Sequence, residues 1–378
     1  MKPPYKVQTM DEIAGIPWNG FNAISTFSGC GGSSLGYKMA GFKVLWASEF
    51  IPAAQDTYRA NHIGTHLDTR DIRTVTPKDI LTTIGMKAGE LDLLDGSPPC
   101  ASFSTAGKRQ AGWGKVKKYS DTEQRTDDLF FEFSRILRGI KPKVFVSENV
   151  SGLVKGTAKG YFLEILKELK SCGYKVGCRV LDAQWLGVPQ TRQRTIFVGV
   201  RDDLSPSPIH PSPLPYRYSV REALSDRIIS AYEDTGGSFS IGDITDRTAP
   251  TVRAGGVGHL YVQEVRKIRI ATGGFGGKDG RREIWPDADR PYPTIGASPA
   301  TGNNYKSNGG KAEFKKPSGE TIRRKFTIQE LKRICSFPDD FILTGSYAQQ
   351  WERLGRAVPP MMMKAIAETV RDQILKKA

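Results

Sequence analysis

Ala23-Ile24-Ser25-Thr26-Phe27-Ser28-Gly29-Cys30-Gly31-Gly32 is a short apolar-rich run that breaks into glycine, and Leu35 to Met39 behind it is helix-like. A strand, a bare-backbone loop and a helix open an α/β unit whose loop lets a ligand approach the main chain. The loop is neither of the two common phosphate cradles. Ser34 stands where the last glycine of GxGxxG would be, and Tyr37 follows Gly36 where a P-loop requires lysine. The next strand candidate, Val44-Leu45-Trp46-Ala47-Ser48, ends at Glu49, about twenty residues on, where an acid typically takes a ribose hydroxyl pair. Together these features point to an adenosine-containing ligand. A tight turn beside a surface carboxylate is the competing reading, and these residues alone do not choose.

Outward from this unit, strands and helices alternate. Leu91-Asp92-Leu93-Leu94-Asp95 is a strand candidate, and Leu129, Phe130, Phe133, Ile136, Leu137 and Ile140 recur at helical spacing before Pro142. Val144-Phe145-Val146 reads as a buried strand, Phe162 to Leu169 as a helix closed by Gly173, and Thr195 to Val200 as another strand. Such alternation predicts right-handed crossovers and a doubly wound, mostly parallel sheet covered on both faces. From Ser205 to about Glu320 the chain turns rich in Pro, Gly, Arg and Thr, with strand-like pieces at His259 to Val262 and Lys267 to Ala271. Asp246-Arg247-Thr248-Ala249-Pro250-Thr251-Val252 is loosely echoed by Asp289-Arg290-Pro291-Tyr292-Pro293-Thr294-Ile295, too few copies for a solenoid. The expected division is a first domain over 1–219, a smaller irregular domain over 220–321, and a segment over 322–378. In the last segment Met363, Ile366, Ala367, Val370 and Ile374 form a helix expected to pack back on the first domain.

The chain has 378 residues, with 55 Lys+Arg against 40 Asp+Glu and a formal charge of +15. That surplus favours a polyanionic partner, nucleic acid ahead of membrane, because no basic amphipathic helix with an aromatic face stands out. No apolar run approaches the ~20 residues needed to cross a bilayer. The first twenty residues lack the apolar core of a signal peptide, so a cytoplasmic setting is expected, nucleoid-associated if the source is bacterial. Five cysteines (Cys30, Cys100, Cys172, Cys178, Cys335) with no CxxC pair argue for reduced thiols, with neither a disulfide framework nor a common zinc site.

Among them Cys100 is singular. It follows the Leu91–Asp95 strand within Gly96-Ser97-Pro98-Pro99-Cys100, just past a strand's carboxyl end, where open α/β sheets build their sites. A cysteine usually fills a core, but two prolines before it suit a nucleophile that must be presented in one orientation. Ser147-Glu148-Asn149-Val150 places an acid at the end of another apolar strand, where it must cap a helix or meet a ligand. In Gln190-Thr191-Arg192-Gln193-Arg194, extended alternation puts Gln190, Arg192 and Arg194 on one face; the alternative is a solvated basic edge. Lys108 to Lys118 is a basic, glycine-hinged loop with one aromatic, placed directly after Cys100.

In this order the pieces resemble the cytosine-C5 DNA methyltransferases, from Ile24 to Arg201 and again from about Arg324 onward. Phe27-Ser28-Gly29-Cys30-Gly31-Gly32 resembles the family's cofactor loop and Pro98-Pro99-Cys100 its catalytic loop. Glu148-Asn149-Val150 and the Gln190–Arg194 run are similar to two further signatures. Arg324-Lys325-Phe326-Thr327 through Phe337-Pro338-Asp339 looks like the penultimate motif, and Gly355-Arg356-Ala357-Val358-Pro359-Pro360 like the last. The resemblance implies the Rossmann-like class I methyltransferase fold, with the smaller domain recognising the target. It implies transfer of a methyl group from S-adenosyl-L-methionine to C5 of a flipped-out cytosine, leaving S-adenosyl-L-homocysteine. Cys100 would be the nucleophile at C6, Glu148 would bond N3 and the exocyclic amine, and Arg194 with Arg192 behind it would hold O2 and a phosphate. Phe27, Gly29, Cys30, Gly32, Glu49, Phe50, Asp71, Ile72, Pro99, Leu129, Arg356 and Ala357 would surround the cofactor. Within that set Glu49 would sit on the ribose and Asp71 on the adenine amine. Ser104, Lys108, Arg109, Gln110, Gln190 and Arg324 would meet double-stranded DNA. No metal is implied, and the protein would act as a monomer, with a cognate restriction endonuclease as a further partner.

The chain departs from the family at Arg356, where asparagine is usual. A cation near a sulfonium is unfavourable, which keeps a weak or inactive DNA-binding relative in view. An RNA substrate is the other alternative, although the Cys-Phe-Thr tripeptide of the transfer-RNA enzymes is absent. A dinucleotide dehydrogenase ranks last, because the glycine spacing is wrong and it leaves Pro-Pro-Cys unexplained.

Overall fold

The computed structural model describes residues 2–99, 116–120, 122–124, 126, 128–154, 159–224, 230–234, 241–243, 246–249, 259–266 and 320–378. In chain order the first stretch holds α1 (Met10–Ala14), β1 (Asn22–Thr26), α2 (Gly32–Met39), β2 (Lys43–Ser48), α3 (Pro52–Asn61), β3 (His66–Asp68), α4 (Pro77–Ile84) and β4 (Leu93–Gly96). Then come β5 (Lys117–Tyr119), β6 (Thr122–Gln124), α5 (Leu129–Ile140), β7 (Val144–Val150), α6 (Lys159–Ser171), β8 (Tyr174–Asp182), β9 (Gln193–Arg201) and α7 (Val220–Leu224). The remainder holds β10 (Ser230–Asp234), β11 (Ile241–Asp243), β12 (His259–Arg266), β13 (Glu320–Lys325), α8 (Ile328–Ile334), α9 (Tyr347–Arg356) and α10 (Pro360–Gln373).

Seven strands form the main sheet in the order β3-β2-β1-β4-β7-β9-β8. All neighbours from β3 to β7 pair in parallel, and β9 is antiparallel to both β7 and β8. The sheet is therefore doubly wound and mostly parallel, as the class I methyltransferase fold requires. Alternation along the buried strands feeds two cores. Ala23, Leu93, Val144 and Val198 lie on one face with Met363, Ile366 and Val370 of α10. Ile24, Leu94, Phe145 and Phe197 lie on the other with Phe133 and Ile136 of α5 and Ile165 of α6. β8 gives little sequence signal, because most of its residues are only half-buried and polar positions interrupt its apolar ones.

The end of the chain closes on its beginning. A Cβ at Gly32 would lie 2.3 Å from Val358 O, and one at Gly36 would lie 2.6 Å from both Pro360 O and Met363 Cβ. One turn of α2 is thus bare because the Val358–Met363 segment lies directly on it. A third cluster joins Cys30 and Leu35 to Val220, Ala223 and Leu224 of α7, and to Phe326, Leu331 and Phe337.

A second sheet has the order β11-β10-β12-β13, with every pair antiparallel. The expected limits at 220 and 321 shift accordingly. α7 packs with the large unit's third cluster, and β13 runs through the expected junction because its whole length pairs with β12. The strand expected at Lys267 to Ala271 and the second copy of the echoed segment lie outside the described residues. Among the described residues no helix is long and apolar enough to cross a membrane.

Gly36→Ala weighs two opposed effects, a gain of about 1 kcal/mol from helix propensity against overpacking of about 1–3 kcal/mol. Because the clash is with backbone as well as side chain, net destabilisation in urea unfolding is expected. A variant stabilised by the full propensity gain would contradict the close packing of α2 on α10.

Candidate active site

Strand order reverses between β1 and β4, the switch point at which doubly wound sheets open a crevice beyond their carboxyl ends. β2, β1, β4 and β7 are consecutive neighbours there, so Glu49, Phe27–Gly32 and Ser97–Pro99 leave the sheet along one edge, where Glu148 and Asn149 of β7 run on past the end of β4.

On the β1–β2 side, the Gly29 amide donates to Glu49 Oε2 at 2.7 Å and the Ile51 amide to Oε1 at 2.7 Å. Burial pushes the Glu49 carboxyl up, against the pull of these amides and of Arg353. Each carboxylate oxygen keeps a second lone pair for a hydroxyl. Gly29 has φ 56° and a Cβ built on it would meet nothing within 4 Å, so its main chain borders open space. Phe27 also holds a positive φ of 55°, a conformation costly for an aromatic residue and typical of ligand-clamping sites.

The other loop positions face inward. A Cβ at Gly31 would strike the buried His62 ring at 2.0 Å, and one at Gly32 would strike Val358 O. Cys30 is buried, its Sγ 3.8 Å from Arg353 O. Phe50 is exposed, while Ile72 and Leu129 are buried. Asp71 caps the turn that starts at Ile72 and pairs with Arg73 at 3.0 Å, whereas the more buried Asp68 pairs with Arg70 at 2.7 Å. Asn149 Nδ2 reaches Pro98 O at 3.4 Å, linking the end of β7 to the peptide before Pro99.

On the β7–β9 side, Glu148 and Arg194 form an ion pair, Oε1 to Nε 2.7 Å, both nearly buried. Register explains it: Arg194 pairs with Val150, two positions from Glu148, so both side chains stand on one face. Arg192 stands behind that pair, within electrostatic reach of Arg194 and Glu148. β9 starts at Gln193; Pro189 to Thr191 before it pair with Ala249 (Thr191 N to Ala249 O 2.7 Å, Ala249 N to Pro189 O 2.9 Å). Gln190 is wholly buried, its Nε2 directed at Cys335 Sγ at 3.5 Å. Arg192, 1% exposed, donates from Nη2 to Gly355 O at 3.0 Å and Ala357 O at 2.8 Å. It thereby holds the closing segment by two carbonyls.

Arg356 is turned to Glu352 at 2.7 Å, so its charge is matched locally and does not bear unopposed on a bound sulfonium. Arg324 lies on β13 opposite Val262. Cys100, Ser104, Lys108, Arg109 and Gln110 fall outside the described residues. Two groups were not singled out from sequence. Arg353, buried, donates to Ser120 Oγ at 2.5 Å. Asp95 lies wholly inside the sheet, accepting from Ser25 Oγ at 2.8 Å and Tyr37 Oη at 3.1 Å. A carboxyl in an otherwise apolar central strand was the available signal for the second. Among the described residues no cluster of ligating side chains suits a metal ion.

Fold and crevice together are those of a doubly wound α/β protein with a candidate site at its switch point. The sequence model for the C-5 cytosine-specific DNA methylase family matches residues 21–372, and the chain belongs to that family. It is 31% identical over 356 residues to the Type II methyltransferase M1.HphI of Haemophilus parahaemolyticus, covering 92% of this chain and 86% of the relative. To the Type II methyltransferase M.NgoPII of Neisseria gonorrhoeae it is 29% identical, covering 96% and 98%. Its fold is similar to that of a DNMT2 variant from Spodoptera frugiperda, with TM-score 0.58, 19% identity, and 93% and 99% coverage. The protein is a DNA cytosine-5 methyltransferase.

Burial raises the Asp95 carboxyl to about 7 from an ordinary 3.8, with Glu148 adding to the rise and Ser25 and Tyr37 opposing it. The folded chain thus binds this proton more tightly than the unfolded chain. The group's contribution is fully present below about pH 4 and is lost as pH climbs to about 7. Asp95→Asn cannot titrate, so from about pH 5 to pH 8 its unfolding free energy is expected to gain about 3 kcal/mol on wild type. Denaturant curves that stay parallel across this range would contradict the assignment.

Proposed function

We propose that this enzyme methylates C5 of a flipped-out cytosine at a specific sequence in duplex DNA, using S-adenosyl-L-methionine and a covalent adduct through Cys100. The observation that carries the reading is the buried Glu148–Arg194 pair at the mouth of the sheet, beside the strand that runs on into Cys100. The residues present fit the cofactor. Gly29 leaves its main chain open, and Glu49 offers oxygens already fixed by two amides. Phe27, Phe50, Ile72, Pro99 and Leu129 would supply apolar wall, Asp71 a contact to the adenine amine, and the Ala357 segment the far side. When bound, the cofactor's sulfonium supplies an electrophilic methyl group.

Cytosine C5 is a weak nucleophile until the ring is activated. The Cys100 thiolate adds to C6, and the electron pair moves toward N3 and O2 while C5 becomes electron-rich. Glu148 holds N3 and the exocyclic amine, and Arg194 holds O2 while keeping Glu148 in place, so charge developing on the ring meets fixed partners. After C5 is alkylated, a base removes its proton and the thiolate leaves. A stacked base cannot enter such a crevice, so the target must leave the duplex. The second sheet and the segment between β12 and β13 read the sequence, and basic residues after Cys100, Lys108 and Arg109 among them, contact phosphates. Two relatives named as Type II methyltransferases support a cognate restriction endonuclease as part of this reading.

Incorporation of labelled methyl into duplex DNA tests the proposal. Cys100→Ala is expected to abolish it while DNA affinity stays close to wild type; turnover by this variant would overturn the nucleophile assignment. Glu148→Gln is expected to lower kcat by about a hundredfold or more, with a much smaller effect on cofactor affinity. The affinity for DNA is expected to fall steeply as salt rises, because phosphate contacts release counterions. A flat dependence measured by fluorescence anisotropy would count against the basic contact surface.

A further inference from the structure

We propose that Asp95 is a positioning residue for methyl transfer, its carboxyl fixing the loop that carries the methyl donor against the strand that delivers the thiol. The inference rests on the methyl-transfer reading above and adds to it a residue that none of the catalytic roles uses.

The geometry is a junction of three elements. Asp95 is in register with Ser25 on β1 and Val146 on β7. Ser25 Oγ donates to its Oδ2 at 2.8 Å, and Tyr37 Oη of α2 donates to its Oδ1 at 3.1 Å. Ser28 Oγ, within the cofactor loop, lies 3.1 Å from Ser25 Oγ and 2.9 Å from Ser25 O. Thr26 Oγ1 donates to Asp95 O at 3.0 Å. A run of hydrogen bonds thus leads from the loop bordering the open space at Gly29 into the middle of β4. Beyond Asp95 the chain is Gly96-Ser97-Pro98-Pro99-Cys100, so the strand that these bonds reach is the one whose sequence leads to the thiol.

An apolar residue in this place would bury without penalty, whereas a carboxyl is desolvated and must be satisfied. The groups facing it are Ser25 from β1, Tyr37 from α2 and, by charge, Glu148 from β7. Those neighbours, hydroxyls and a second acid, do not repay the burial of a charge, so sheet stability does not account for the residue. In its ionised form, the one to which Ser25 and Tyr37 both donate, the carboxyl adds two directional acceptors, one aimed at β1 beneath the donor loop and one at α2. Asparagine keeps one acceptor and presents a donor to the other hydroxyl, which must then re-aim. The donor loop loses its fixed distance from the thiol strand, and a misplacement on the order of 1 Å between reacting groups costs about a hundredfold.

The test separates thiol chemistry from methyl transfer on one duplex. Transfer is measured with S-adenosyl-L-methionine. With no methyl donor present, loss of tritium from C5-tritiated cytosine is measured. In that exchange the Cys100 thiolate adds to C6, C5 takes a proton from water, the triton leaves and the thiolate is expelled, with no net oxidation or reduction. Asp95→Asn and Ser25→Ala are each expected to lower transfer about tenfold or more while exchange stays within about twofold of wild type. Equal loss of both rates would show a merely structural role, and wild-type transfer in both variants would show no role; either overturns the proposal. A wild-type enzyme that neither transfers nor exchanges would instead overturn the functional reading, and this inference with it.

Discussion

Two opposite charges held almost out of water, Glu148 and Arg194 at 2.7 Å, are the constraint on which the rest of the crevice depends. Burying such a pair adds little to stability, since desolvation roughly cancels attraction. What it secures is orientation. On the proposed reading a pyrimidine would meet an acid and a guanidinium already aimed, with no reorganisation needed as charge shifts onto the ring. The antiparallel β9 makes this possible, because it runs back beside β7 and brings Arg194 diagonally opposite Glu148.

The crevice's far wall is held by a different device. Bare positions at Gly32 and Gly36 let the Val358–Met363 segment rest on α2, and Arg192 fixes the carbonyls of Gly355 and Ala357 from beneath. Backbone carbonyls, not the side chain at position 356, receive that support. The segment therefore tolerates Arg356, whose charge is matched by Glu352 one turn earlier.

The alternation of strand and helix, the two faces of the sheet and the return of α10 were all legible in the sequence, because each depends on apolar periodicity over long buried elements. The limits of the second sheet were less so. β13 begins inside a polar, glycine-rich stretch, and only its pairing with β12 reveals it as a strand. In the site, Glu49 and Glu148 were legible as acids at strand ends. Gln190 and Arg192 were legible as a polar run entering β9, but their burial was not, because the groups that meet them, Cys335, Gly355 and Ala357, are distant in sequence. Asp95 escaped notice because its meaning lies in Ser25 and Tyr37, which are distant in sequence and adjacent only across β1 and α2.

The central claim is that a single sulfur adds to the cytosine ring. Duplex DNA carrying 5-fluorocytosine at the methylated position blocks the final proton removal, so the adduct should persist. With S-adenosyl-L-methionine present, mass spectrometry of the digested complex is expected to find the nucleotide attached to the peptide containing Cys100. DNA that is bound but never becomes attached, or attachment through another residue, would contradict the account.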